Sequence, residues 1–233
     1  MNHPLYRPLN GVIKPVVRTL CRIDDAQLPR VPAHGPLILV ANHVSFIEVP
    51  ILITHLQPRP ITGFAKAENW RNPLTRFLFE VWGGIPLRRG TADTVAFRQA
   101  LQALEAGYIV AVAPEGTRSG DGQLRPGLPG VVLLALRSGA PLLPMAYHGG
   151  EQLRHRLPRL RQTDFHIAIG HPFTLRPGEG RVTSAMRQQM VDEIMYQIAA
   201  LLPSGYRGCY SDLDAATEQY LRFPPGSRSN LAG

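Results

Sequence analysis

From residue 36 onward, short apolar runs alternate with stretches of helical periodicity, and this alternation limits the available folds more than any other feature. Runs near 36–41, 61–65, 85–87, 108–113, 142–147 and 165–169 read as strands, and 49–56, 73–82, 92–106, 128–138 and 183–202 as helices. Strand, helix, strand in succession is the βαβ unit of a parallel sheet. The expected fold class is α/β: a single domain with a largely parallel sheet flanked by helices, preceded by an N-terminal amphipathic helical segment. A chain of 233 residues, 44% hydrophobic, is long enough for one sizeable core. Residues 1–30 form the expected helical segment, 31–203 the domain body and 204–233 a tail. In the tail, "RFPPGSRSNLAG" has too much Pro, Gly and Ser to hold a core, so it is expected to be partly mobile.

At the N-terminus Leu5, Leu9, Val12, Ile13, Val16, Val17 and Leu20 recur at helical spacing, with Arg7, Lys14, Arg18 and Arg22 between them. Pro8 and Pro15 argue for two short turns or a kinked helix over one straight helix. Such a stretch suits either an interfacial membrane anchor or a helix packed on the domain. The formal net charge of +8 points to an anionic partner: nucleic acid, an anionic lipid surface or a phosphorylated substrate. No run approaches the roughly 20 apolar residues of a spanning helix, and no long apolar stretch follows the first basic residues, so no cleavable signal is expected. Cys21 and Cys209 lie far apart without ligand spacing, which suggests no disulfide framework, no metal site and a reducing, cytoplasmic setting. The stretch "HGGEQLRHRLPRLRQ" breaks the βαβ rhythm and reads as a basic surface loop or lid.

Three polar clusters sit where predicted strands end, the place where ligands gather in parallel α/β folds. Asn42, His43, Ser45 and Glu48 follow the first strand. Histidine is the side chain suited to moving a proton at neutral pH, so His43 with a carboxylate beside it makes a candidate general base. Ser45 and Glu48 also spell a capping box, in which Glu48 would serve only the helix start; Pro50, then at the fifth helical position, fits that reading poorly. "VAPEGTRSG" follows the strand at 108–113: Gly116 permits close backbone approach, Thr117 offers a hydroxyl, and Arg118 a fork for phosphate or carboxylate. "GGIPLRRG" places Arg88 and Arg89 after another strand. A Ser45 hydrolase would require a G-x-S-x-G elbow, which is missing. A basic module binding lipid or nucleic acid would need no His/carboxylate pair, and no aromatic-rich strand of the single-strand-binding kind is present.

In this order and spacing the clusters resemble the glycerolipid acyltransferases of the lysophosphatidate acyltransferase (PlsC-like) family. Asn42-His43-Val44-Ser45-Phe46-Ile47-Glu48 is similar to its N-H-x-S-x-x-D motif, Gly84 to Arg89 to its second motif, Glu115 to Ser119 to E-G-T-R-S, and Leu142 to Ala146 to its apolar fourth element. The resemblance covers residues 36–150, and Glu48 stands where the family usually has Asp. It implies transfer of a fatty acyl group from a thioester to a lysophospholipid or glycerol phosphate-type hydroxyl, with His43 and Glu48 catalytic. Asn42, Ser45, Arg89, Glu115, Gly116, Thr117 and Arg118 are the implied substrate-binding residues. It further implies no bound cofactor or metal, acyl-CoA or acyl carrier protein thioester as co-substrate, and no nucleic acid partner, while the basic amphipathic start suggests peripheral attachment to the inner, cytoplasmic face of the cell membrane.

Overall fold

The computed structural model describes residues 3–232; Met1 and Asn2 of the N-terminal segment and Gly233 of the tail lie outside the described residues. The chain runs α1 (Tyr6–Leu20), β1 (Cys21–Asp24), β2 (Leu37–Ala41), α2 (Glu48–His55), β3 (Ile61–Lys66), α3 (Pro73–Trp82), β4 (Ile85–Leu87) and α4 (Thr94–Glu105). It continues β5 (Ile109–Val112), α5 (Gly130–Ser138), β6 (Leu142–His148), α6 (Leu153–Arg156), β7 (Thr163–Ile169), β8 (Thr174–Leu175), α7 (Ser184–Ala199) and β9 (Leu221–Arg222).

The main sheet has the order β1-β7-β6-β2-β5-β3-β4. All its pairings are parallel except β6 with β7, so the α/β reading holds. β2 lies at the centre, all five residues buried, as a strand covered on both faces must be. Its side chains alternate between two cores. Ile38 and Val40 join residues of α4, α5 and α7; Leu37, Leu39 and Ala41 join residues of α1, α2 and α3. β2 connects through α2 to β3 on one side, and its neighbour β5 connects through α5 to β6 on the other, so the two connections diverge and open a crevice at these carboxyl ends. Among the described residues no helix is long and apolar enough to cross a membrane.

Three expectations differ from the structure. α1 is one continuous helix despite its prolines. Pro8 falls in the first turn, where an N–H lacks an intrahelical partner anyway, and Pro15 leaves only the carbonyl of exposed Gly11 to water. β1 was not legible as a strand: its four residues mix apolar with charged, and it holds a sheet edge against β7. The tail, read as mobile from composition, is packed onto α7. Glu193, 1% exposed, accepts from Thr217 Oγ1 at 2.7 Å and from the amides of Gln219 and Tyr220 at 2.9 and 3.0 Å. Gln197 accepts from the amide of Asn230 at 2.9 Å, and Tyr210, Tyr220 and Leu221 are buried. Polar residues that look like solvated linker answer buried polar groups of the helix.

Candidate active site

The turn between β2 and α2 sets two buried polar side chains, Asn42 and Glu48, beside two partly exposed ones, His43 and Ser45. Asn42, 2% exposed, donates from Nδ2 to the Tyr147 carbonyl and accepts the Tyr147 amide at Oδ1, both at 2.8 Å. Both ends of its amide are thus committed to the main chain of β6. Asn42 ties two neighbouring strand ends together.

His43 and Glu48 meet. Nδ1 of His43 lies 2.5 Å from Oε2 of Glu48, whose side chain is 3% exposed against 24% for the imidazole. The other oxygen, Oε1, accepts the amides of Val44 at 2.9 Å and Ser45 at 2.6 Å. The capping role and the pairing role are therefore not alternatives: one carboxylate performs both, one oxygen for each. α2 begins at Glu48, later than a Ser45 cap would place it, so Pro50 sits in the first turn and the conflict over its missing N–H disappears. Ser45 Oγ accepts the Ile47 amide at 3.2 Å and so shapes the turn. With Glu48 an acceptor, Nδ1 carries the proton and Nε2 presents its lone pair away from the carboxylate.

The third motif grips the first. Glu115, 5% exposed, accepts the His43 amide at Oε1 and the Arg125 amide at Oε2, both at 2.9 Å. Burial pushes its carboxyl up, and these two amides pull it partly back. The Ser119 amide donates to the His43 carbonyl at 2.8 Å. His43 is thus held at both ends of its own residue, and Glu115 acts as a brace rather than as the expected substrate contact. Gly116 has φ 67°, a left-handed backbone conformation that favours glycine. Thr117 and Arg118 are exposed, with no side-chain hydrogen bond or ion pair among the described residues. Arg89, equally exposed and unpaired, follows β4 at the sheet edge, three strands from β2, or about 14 Å at the usual strand spacing. It shares the carboxyl-end rim with His43 but is not brought to it.

A cavity of ≈ 130 Å³ opens beside the pair, walled by Leu52, Ile61, Phe64, Phe79 and Trp82. Sequence reasoning missed it. Its signal was the small residues at alternate positions of two strands, Gly63 and Ala65, then Ala111 and Ala113, all of which line it. Tyr147 lines it too; its hydroxyl is buried without a partner among the described residues, and burial, with the charge of Glu48 a smaller cause, raises the phenol well above its ordinary value.

The family profile described as Acyltransferase matches residues 22–148, more than half of the 233. The chain belongs to the acyltransferase family. Within it, the chain is 34% identical over 112 residues to a lyso-ornithine lipid O-acyltransferase of Pseudomonas aeruginosa, covering 48% of this chain and 42% of that protein. It is 35% identical over 115 residues to a 1-acyl-sn-glycerol-3-phosphate acyltransferase of Limnanthes alba, again less than half of that protein, at 41%. A Bacillus subtilis 1-acyl-sn-glycerol-3-phosphate acyltransferase aligns over 197 residues at 27%, covering 80% of this chain and 95% of the relative. The crystal structure of the 1-acyl-sn-glycerophosphate acyltransferase from Thermotoga maritima superposes with a TM-score of 0.58 at 23% identity, covering 82% of this chain and 76% of the other, and supports the fold.

Proposed function

We propose that this protein transfers a fatty acyl group from a thioester, acyl-CoA or acyl carrier protein, to the free hydroxyl of a lysophospholipid or glycerol phosphate-type acceptor. The observation that carries the reading is the 2.5 Å contact of His43 with a buried carboxylate, at a strand end and beside an apolar cavity. Nε2 takes the acceptor's hydroxyl proton as that oxygen attacks the thioester carbonyl carbon. The tetrahedral intermediate collapses, the C–S bond breaks, and His43 returns the proton to the departing thiolate. An ester, a thiol and a neutral imidazole remain. Glu48 keeps the ring in the required tautomer and faces the imidazolium charge while it exists, general-base help worth about 10²–10⁴-fold.

The apolar cavity suits the part of the acyl chain next to the thioester, and Arg118 and Arg89, without protein partners among the described residues, are free to hold an acceptor's anionic group. Relatives named for two acceptors, lysophosphatidate and lyso-ornithine lipid, make the headgroup the first thing to test. The protein works as a peripheral enzyme on the inner, cytoplasmic face of the membrane. α1 supports this: it packs Val17 inward yet exposes Val12 and Val16, with Leu5 exposed just before it and Arg7 exposed in its first turn. Incubation of the purified protein with lysophosphatidate, lyso-ornithine lipid and both thioester types, followed by mass analysis, should show acylated lipid formed and thiol released together. Thioester consumption that does not depend on a lysolipid would defeat the proposal.

A further inference from the structure

β6 and β7 are joined by residues 149–162, which take no part in the chemistry above. The near end of this segment is held down: Leu153 is 2% exposed in the core shared with α1 and α2. The far end is built differently. Leu160 is 96% exposed at φ 52°, a backbone conformation that non-glycine residues seldom adopt, and Leu157 is 42% exposed. Arg154, Arg156, Arg159 and Arg161 flank them in sequence; Arg156 pairs with Asp164 at 3.3 Å, and the other three have no ion pair among the described residues. Hydrogen bonds shape the turn: Leu160 N to Leu157 O at 3.1 Å, Arg161 N to Arg156 O at 3.2 Å, and Arg159 Nη1 to His155 O at 2.9 Å.

This segment adjoins α1. Gln162 Nε2 donates to the carbonyls of Arg18 and Thr19, at 3.4 and 3.2 Å, in the last turn of the helix and just beyond its exposed Val12 and Val16. It also begins next to the site, since a Cβ on Gly150 would lie 3.8 Å from Ser45 Oγ. Two elements remote in sequence thus adjoin, and each carries exposed apolar and cationic side chains.

We propose that residues 154–161 are a second membrane contact, with Leu160 among the acyl chains and the arginines on anionic headgroups, so that the protein docks in one orientation. The proposal rests on the reading of the site as one that takes a lipid acceptor. An anionic bilayer fits better than nucleic acid or an acidic carrier protein because both adjoining elements hold apolar side chains out, and acyl chains can cover both.

Co-sedimentation of the full chain with vesicles of phosphatidylglycerol or of phosphatidylcholine tests it. Wild-type protein should prefer the anionic vesicles. Leu160→Glu should weaken that binding about tenfold, as loss of one buried leucine implies, and Arg159→Gln with Arg161→Gln about tenfold or more together. Thermal unfolding should change little, because Leu160 and Arg161 touch no core and Arg159 loses only one exposed hydrogen bond, to the His155 carbonyl. Unaltered vesicle binding in both variants overturns the proposal. So does failure of the wild-type protein to bind anionic vesicles, or variants that lose affinity for acyl carrier protein or RNA but not for vesicles. Turnover of a monomeric short-chain lysolipid by the wild-type protein, measured without vesicles, reports separately on the site itself.

Discussion

Around His43 the two carboxylates and the turn's main-chain amides are paired; elsewhere on the same rim, the Arg118 and Arg89 side chains have no partner among the described residues. The buried half of the site is held by bonds to main-chain amides, with Glu48 and Glu115 each using both oxygens. The exposed half is held by nothing. Such a division matches what each half must do. A general base works only at fixed geometry, so its supports are buried where water cannot compete. Groups that capture a soluble or interfacial anion must be reachable, and an arginine already paired would first have to release its partner.

The widest break in this comparison should come from Glu48→Gln. The amide oxygen still accepts from Val44 and Ser45, so the turn survives, but the NH₂ then faces His43 Nδ1, which must become the acceptor. Nε2 carries the proton and cannot remove another. Turnover should fall by about 10²–10⁴ with little change in thermal unfolding, as expected when tautomer control is lost. Equal activity in the variant would return Glu48 to a purely capping role.

Glu115→Gln should come next, and it should act through structure. Two amides, of His43 and Arg125, now share one carboxylate; glutamine offers a single acceptor and turns an NH₂ toward the other. One buried donor left without a partner costs about 1–3 kcal/mol. Denaturant unfolding should show that loss, and kcat should drop while KM for the acceptor changes little. A variant with wild-type stability would mean that the loop does not depend on this brace.

Arg118→Ala should do the reverse. With an exposed side chain and no protein partner, its loss leaves stability intact, while KM for a phosphorylated acceptor rises about tenfold, in line with a charged hydrogen bond. KM for the thioester should hold steady. Arg89→Ala, at the far edge of the rim, should have the smaller effect. Initial rates with each substrate varied in turn separate these cases, and equal effects on both substrates would remove phosphate from Arg118.

What could be read beforehand follows the same division. Strand ends, His43, Glu48 and the 115–119 run were legible because alternation and motif spacing are local properties. The brace was not: Glu115 and His43 are 72 residues apart, and only the adjacency of β5 and β2 joins them. Nor was the double use of Glu48, since two readings of one side chain looked exclusive until its two oxygens could be followed separately. α1 and the tail were misjudged from Pro and Gly content, because composition cannot show that Trp82 donates to Asn10 or that Glu193 waits for the tail's amides.

The smallest expected effect lies between the two halves, at His148, next to the residue that Asn42 clamps. Its ring stacks on His166 at 4.5 Å and touches Tyr206 at 5.4 Å. Partial burial, and then the neighbouring His166, hold its pKa below the ordinary 6.5, against an opposing pull from Glu151 and Asp24. The native state therefore keeps this imidazole neutral at a pH where the unfolded chain would protonate it. Its contribution to stability is present above about pH 6.5 and is lost as pH falls below that value, since the unfolded state then binds more protons. His148→Phe retains a ring against both neighbours and removes the titration. Between about pH 7.5 and 5.5 the melting temperature of the wild-type protein should fall more than that of the variant, by about 1–2 °C given partial solvent screening. Parallel curves would show that His148 is as free to ionise in the folded protein as in the unfolded one, and that the guarded region around His43 stops short of it.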